Sequence, residues 1–238
     1  MSGDNPGTID SASHGHGEAK RRLRGVLMLV ALIWSAGLIG HFTPLAEWPA
    51  LLLYVLGGLA FTVFHCHRER AWQTVGITRR NLRRALLWGG AIGGALMLMG
   101  WVNTCLYYRA GNPPMVDMES LLVDQRLILL FPVLVLAEEF LWRGMALSAL
   151  RDRGWNMHLA VAVTTLAYAF NHFAVAPVGM VERGMMTLMA LPIGILGGYL
   201  AWRLQNVWAA VAVHMLTFIS MTVDIFVMPG LVGVVPAS

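Results

Sequence analysis

Seven stretches of this chain are each long and apolar enough to cross a lipid bilayer, a distance that takes about 20 residues of helix. They lie near residues 25–43, 48–64, 85–106, 127–150, 157–176, 184–203 and 207–228. Nothing else in the sequence constrains the fold as strongly. Backbone polar groups in hydrocarbon must be satisfied internally, so the expected architecture is an all-α, polytopic transmembrane helix bundle of about seven spans. The composition agrees, with 57% of the 238 residues hydrophobic and 13% charged, against about 25% charged in an ordinary soluble domain. A water-exposed surface could not be covered by so few polar groups. Soluble enzymes, nucleic-acid binders and disordered chains are therefore poor fits, and the bilayer itself is the first partner.

Residues 1–19 are polar and lack an apolar period, which predicts a disordered N-terminal tail ahead of a transmembrane helical domain over 20–238. The apolar segment after the tail has no small-residue cleavage site and reads as a retained first span. Paired glycines such as Gly89-Gly90, Gly93-Gly94 and Gly197-Gly198 would break helices in water but allow close helix approach in lipid. Cys66 and Cys105 match no metal or redox spacing.

The basic residues predict an orientation. Lys20, Arg21, Arg22 and Arg24 precede the first span; Arg68, Arg70, Arg79, Arg80, Arg83 and Arg84 fill the loop between the second and third. With Arg151, Arg153 and Arg203, 13 of the 17 Lys and Arg fall on one side. By the positive-inside rule the N-terminus is cytoplasmic and the C-terminus external. The expected location is the cell's inner (plasma) membrane. No internal repeat supports a transporter built of inverted halves.

Ionisable residues inside the spans are the informative ones, because a charge at mid-bilayer costs at least about 2.5–3.5 kcal/mol on insertion scales. The fourth span reads LVLAEEFLWRGMALSAL with Glu138, Glu139 and Arg143; the fifth holds Asn171 and His172; the seventh holds His214, Thr217 and Asp224. Glu139 and Arg143 share a helix face at i,i+4 and suit an ion pair. Glu138 points about 100° away with no partner on its own helix, which leaves it available to gain and lose a proton as a general base. Two imidazoles from other helices can join it to activate a water and stabilise an oxyanion, with or without a metal. Helix-to-helix bonding would explain any one of these residues, but not five of them on three spans.

Glu138-Glu139-x-x-x-Arg143, an aromatic-x-x-x-His172 and His214 in the last span together resemble the CPBP intramembrane proteases. These are the group of type II CAAX prenyl endopeptidases and bacteriocin-immunity proteins. The resemblance covers residues 125–225. It implies an intramembrane endopeptidase cleaving near the C-terminus or membrane segment of a membrane-associated protein or peptide. Glu138 and His172 would activate the water and His214 would help hold the oxyanion, with Glu139, Arg143, Tyr168, Asn171 and Thr217 in support. The metalloprotease label of that group implies a divalent metal such as zinc on Glu138, His172 and His214. A metal-free water activated by Glu and His is equally compatible, and is the mechanism we favour. The alternatives are a non-catalytic membrane interaction or immunity protein on the same fold, and a proton-coupled transporter.

The chain departs from the family pattern twice. Tyr168 stands where the second motif has Phe, and its hydroxyl is a potential donor. Phe218 stands where the third motif has Asn or Asp, and Phe cannot donate to an oxyanion. Thr217, Asn171 and Ser220 are the candidate substitutes. Depth is a further difficulty: on the boundaries above, His214 lies about 10 Å and His172 about 22 Å along their helices from the cytoplasmic end, at 1.5 Å per residue.

Overall fold

The computed structural model describes residues 7–233 and, for residues 7–16, the backbone alone. It consists of nine helices with no strand among the described residues. They are α1 (Gly7–His41), α2 (Trp48–Arg68), α3 (Leu82–Arg109), α4 (Val116–Val123), α5 (Leu127–Asp152), α6 (Met157–Val175), α7 (Met180–Leu204), α8 (Trp208–Phe226) and α9 (Met228–Val232). Six are long and apolar enough to cross a membrane, and the count is seven if α4 with α5, bent 92° at their junction, is one span. The protein is a multi-pass helical membrane protein. Six of the expected spans coincide with these helices, the first beginning at Gly17 rather than near residue 25, and the fourth, near 127–150, falls on α5 of the bent pair.

The tail predicted over residues 1–19 falls partly outside the described residues. From Gly7 the backbone is already helical and runs into the first span. Ala19 is buried, and Glu18 faces Arg22 and His65. Arg22 is buried too, in an ion pair with Asp152 at the end of α5.

The membrane-crossing helices pack through small residues, as close approach in lipid requires. On α3, Gly89 and Gly93 face α8: a Cβ on Gly89 would lie 2.4 Å from the Ala209 carbonyl oxygen, and one on Gly93 3.0 Å from the Val213 Cα. Their neighbours Gly90 and Gly94 meet nothing, so one glycine of each pair makes the interface. Large apolar side chains such as Met28, Phe42 and Leu129 point outward into what would be lipid.

The segment between α2 and α3, read from sequence only as a basic loop, is folded into the bundle. Ala71 and Val75 are buried. The Gly76 carbonyl accepts from Val207 N at 3.0 Å, and the Asn206 amide donates to the carbonyls of Thr78 and Arg80. Gly76 sits at φ +78°, a left-handed conformation, with room for only a hydrogen beside Val207 N. This plug covers the start of α8, so that helix begins inside the bundle. That resolves the depth difficulty: His214 is early in a helix that starts deep, and His172 late in one that starts at the surface.

Candidate intramembrane active site

Glu138 and Glu139 occupy the last α-helical turn of α5 before a π-helical stretch, Phe140–Leu147. The carboxylates and Arg143 are buried, and Arg143 Nη1 lies 3.2 Å from Glu139 Oε1, the pair expected from the i,i+4 spacing. A second π-helical stretch, Leu53–Gly57 within α2, packs alongside, where Trp142 Nε1 donates to the Tyr54 hydroxyl at 2.6 Å. Wide turns of this type recur at functional sites, because they re-aim side chains without ending the helix.

Three helices converge on Glu138. His172 of α6 brings Nε2 to 3.8 Å from its Oε1, and His214 of α8 brings Nε2 to 3.5 Å from its Oε2. Each imidazole is fixed through its other nitrogen. His172 Nδ1 is 3.1 Å from the Tyr168 carbonyl, which only accepts, so Nδ1 carries a hydrogen and Nε2 is the nitrogen that faces Glu138. His214 Nδ1 is 2.9 Å from Glu139 Oε1, which places the Arg143–Glu139 pair behind it as its orienting group. Tyr168 lies at the centre. Its hydroxyl donates to Glu138 Oε2 at 3.3 Å and lies 3.4 Å from His214 Nε2. The Arg143 guanidinium sits over its ring at 4.3 Å, a cation–π contact that couples the ion pair to the tyrosine.

Glu138, His172 and His214 line one side of a cavity of about 80 Å³ whose other walls are apolar, among them Leu134, Met186 and Ile193. Thr217 and Phe218 line it as well. The Thr217 hydroxyl is committed to the His214 carbonyl of its own helix, 2.8 Å away. Phe218 stacks face to face on Phe131, with centroids 4.1 Å apart. Asn171 is placed elsewhere: its Oδ1 accepts from Trp34 Nε1 of α1 at 3.0 Å. Being adjacent to His172 on a helix turns it about 100° off the site face, and it joins α6 to α1. Ser220 bonds to the Met97 carbonyl and Asp224. Of the three candidate replacements for the missing Asn, none places a donor at Glu138; the Tyr168 hydroxyl does. Tyr54 and Trp34 lie outside every motif and carry no sequence signal of their place.

One carboxylate and two imidazoles are a zinc-type donor set. Here the two Nε2 atoms approach different oxygens of Glu138. Among the described residues no group of three or more His, Cys, Asp or Glu side chains is placed to hold a metal ion.

A carboxylate and two oriented imidazoles, buried where three spans meet and opening on an apolar cavity, are together capable of acid–base chemistry. Residues 124–219 match the family model of Type II CAAX prenyl endopeptidase Rce1-like proteins. The match contains all three motifs and α5 to the middle of α8, and it leaves α1 to α4 outside. No curated protein and no solved structure matches the chain.

Proposed function

We propose that the protein is an intramembrane endopeptidase that hydrolyses a peptide bond of a membrane-associated protein or peptide with a water activated by Glu138 and His172. The single observation carrying this reading is the convergence of Glu138, His172 and His214 from three helices on one apolar cavity. The 3.8 Å gap between Glu138 Oε1 and His172 Nε2 is too long for a direct hydrogen bond, but a water at its edge can contact both. As its oxygen attacks the scissile carbonyl carbon, one proton passes to Glu138. The tetrahedral oxyanion forms on the side of Tyr168 and His214, where the tyrosine hydroxyl donates to it. Glu138 then gives the proton to the leaving nitrogen as the C–N bond breaks, yielding a carboxylic acid and an amine. Glu139 and Arg143 hold His214 in place throughout.

Basic side chains gathered at one end of the bundle, with Arg21 at Glu69 and Arg151 at the Thr74 carbonyl, support a cytoplasmic N-terminus in the inner (plasma) membrane.

The test is to follow C-terminal processing across the membrane proteome with wild type and Glu138→Gln, each with and without a membrane-permeant chelator. Processing falls at least about 10³-fold in the variant, and the chelator leaves the wild type unchanged. Normal processing by Glu138→Gln overturns the reading and favours the interaction or immunity protein. Loss on chelation alone overturns the metal-free part.

A further inference from the structure

A second, larger cavity of about 360 Å³ lies between α3, α7 and α8, toward the C-terminal end of α8. It shares a wall with the catalytic cavity, for Met186, Met189, Ile193, Thr217 and Met221 line both. Its lining is apolar and rich in methionine, a side chain that adapts to irregular guests. At its α8 side stands Asp224, 4% exposed. One Asp224 oxygen, Oδ2, accepts from the Ser220 hydroxyl at 3.3 Å; the other, Oδ1, is buried with no partner. Glu182 also lines the cavity, and no Lys, Arg or His does among the described residues. Arg183, next in sequence, is engaged with Glu47 and two backbone carbonyls.

A half-satisfied carboxylate inside a bilayer is costly, and such groups in spans pair with something or mark a path. The Thr104 and Ser220 hydroxyls reach it, but no cationic side chain among the described residues lining the cavity neutralises it. We infer that the cavity at Asp224 is a specificity subsite that receives a basic residue of the substrate polypeptide, its ammonium or guanidinium on Asp224 and its apolar neighbours on the methionine wall. The inference rests on the endopeptidase reading, because the shared wall makes the two cavities one path for an extended chain. Ten residues of α8 separate His214 from Asp224, about 15 Å at 1.5 Å per residue. An extended peptide covers that distance in about four or five residues. The substrate therefore carries its Lys or Arg about four or five residues from the bond that is cut.

The experiment uses full-length Glu138→Gln in nanodiscs, which separates binding from cleavage. Two fluorescent apolar decapeptides are titrated, one with a single central Lys and one with norleucine in its place. The expected result is about tenfold or greater preference for the Lys peptide, reduced to about one in the Glu138→Gln/Asp224→Asn double variant, with norleucine binding retained as proof of folding. Equal binding of the two peptides, binding of neither, or a Lys preference that survives Asp224→Asn overturns the inference. The wild-type enzyme is then given the Lys peptide. A retained preference with no cleavage there, or in a set with the Lys moved along the chain, tells against the endopeptidase reading and leaves the subsite standing.

Discussion

Two buried clusters of charge in this molecule use similar residues to different ends. At one, Arg183 of α7 pairs with Glu47 ahead of α2, donates through Nε and Nη1 to the carbonyls of Val178 and Phe173, and shares Glu47 with His41. All three guanidinium nitrogens are engaged, and neither Arg183 nor Glu47 lines a cavity described above. At the other, Glu138 has a tyrosine hydroxyl at 3.3 Å and two imidazole nitrogens at 3.5 and 3.8 Å, and it opens on a cavity. A closed network holds helices together; one left loosely filled beside a space keeps proton acceptors free to react. Burial alone does not separate the two, and satisfaction does.

The sharpest way to break this contrast is to open the closed cluster. Arg183→Met strands the Glu47 carboxylate, and removing one partner of a buried pair typically costs about 3–5 kcal/mol. Thermal unfolding in detergent should drop accordingly, while the processing rate per folded molecule stays near wild type. A selective loss of rate without loss of stability would place Arg183 in the reaction and end the distinction.

At the open cluster the opposite signature is expected. Tyr168→Phe removes one hydroxyl and keeps the ring under Arg143. Loss of an oxyanion donor costs about 10²–10³ in rate, so kcat should fall about 10²-fold, with KM and the melting temperature nearly unchanged. A change confined to KM would make the hydroxyl a binding group.

The clusters also differ in how much the sequence revealed. Spans and motifs were legible because apolar length and intramembrane charge are one-dimensional signals. Glu139 with Arg143 followed from helical spacing, and the shared site of Glu138, His172 and His214 from the family pattern. The plug over residues 69–81 was not legible: its arginines report orientation equally well whether the loop is outside or folded in. Arg183 carries no sequence signal of its partner, since only the fold brings Glu47, 136 residues earlier, to it. Tyr54 reaches Trp142 across two π-helical stretches, which no periodicity announces.

A smaller effect follows from Glu47. Burial alone would raise its carboxyl, but hydrogen bonds from Arg183 and His41 outweigh that and hold it below its ordinary value. A depressed carboxyl contributes stability that is complete above the unfolded value and is lost as pH falls through the folded one. Melting temperature should therefore decline below about pH 4.5, and this part of the decline should vanish in Glu47→Gln. An unchanged acid limb in that variant would remove Glu47 from the closed cluster's pH response.

The smallest effect is expected where the sequence suggested the greatest weakness. Phe218→Asn restores the residue type that the third family motif carries. If the oxyanion lacked a donor, the restored amide would raise the rate steeply. In the structure Phe218 is one half of a stacked pair with Phe131 on the cavity wall, and Tyr168 already supplies a donor at Glu138. An amide there gains little in chemistry and gives up an aromatic contact of about 0.5–1.5 kcal/mol. Processing should change less than about threefold, with a small loss of stability. A gain of about 10²-fold would show that Asn does what Tyr168 does not, and would move the oxyanion donor from α6 to α8.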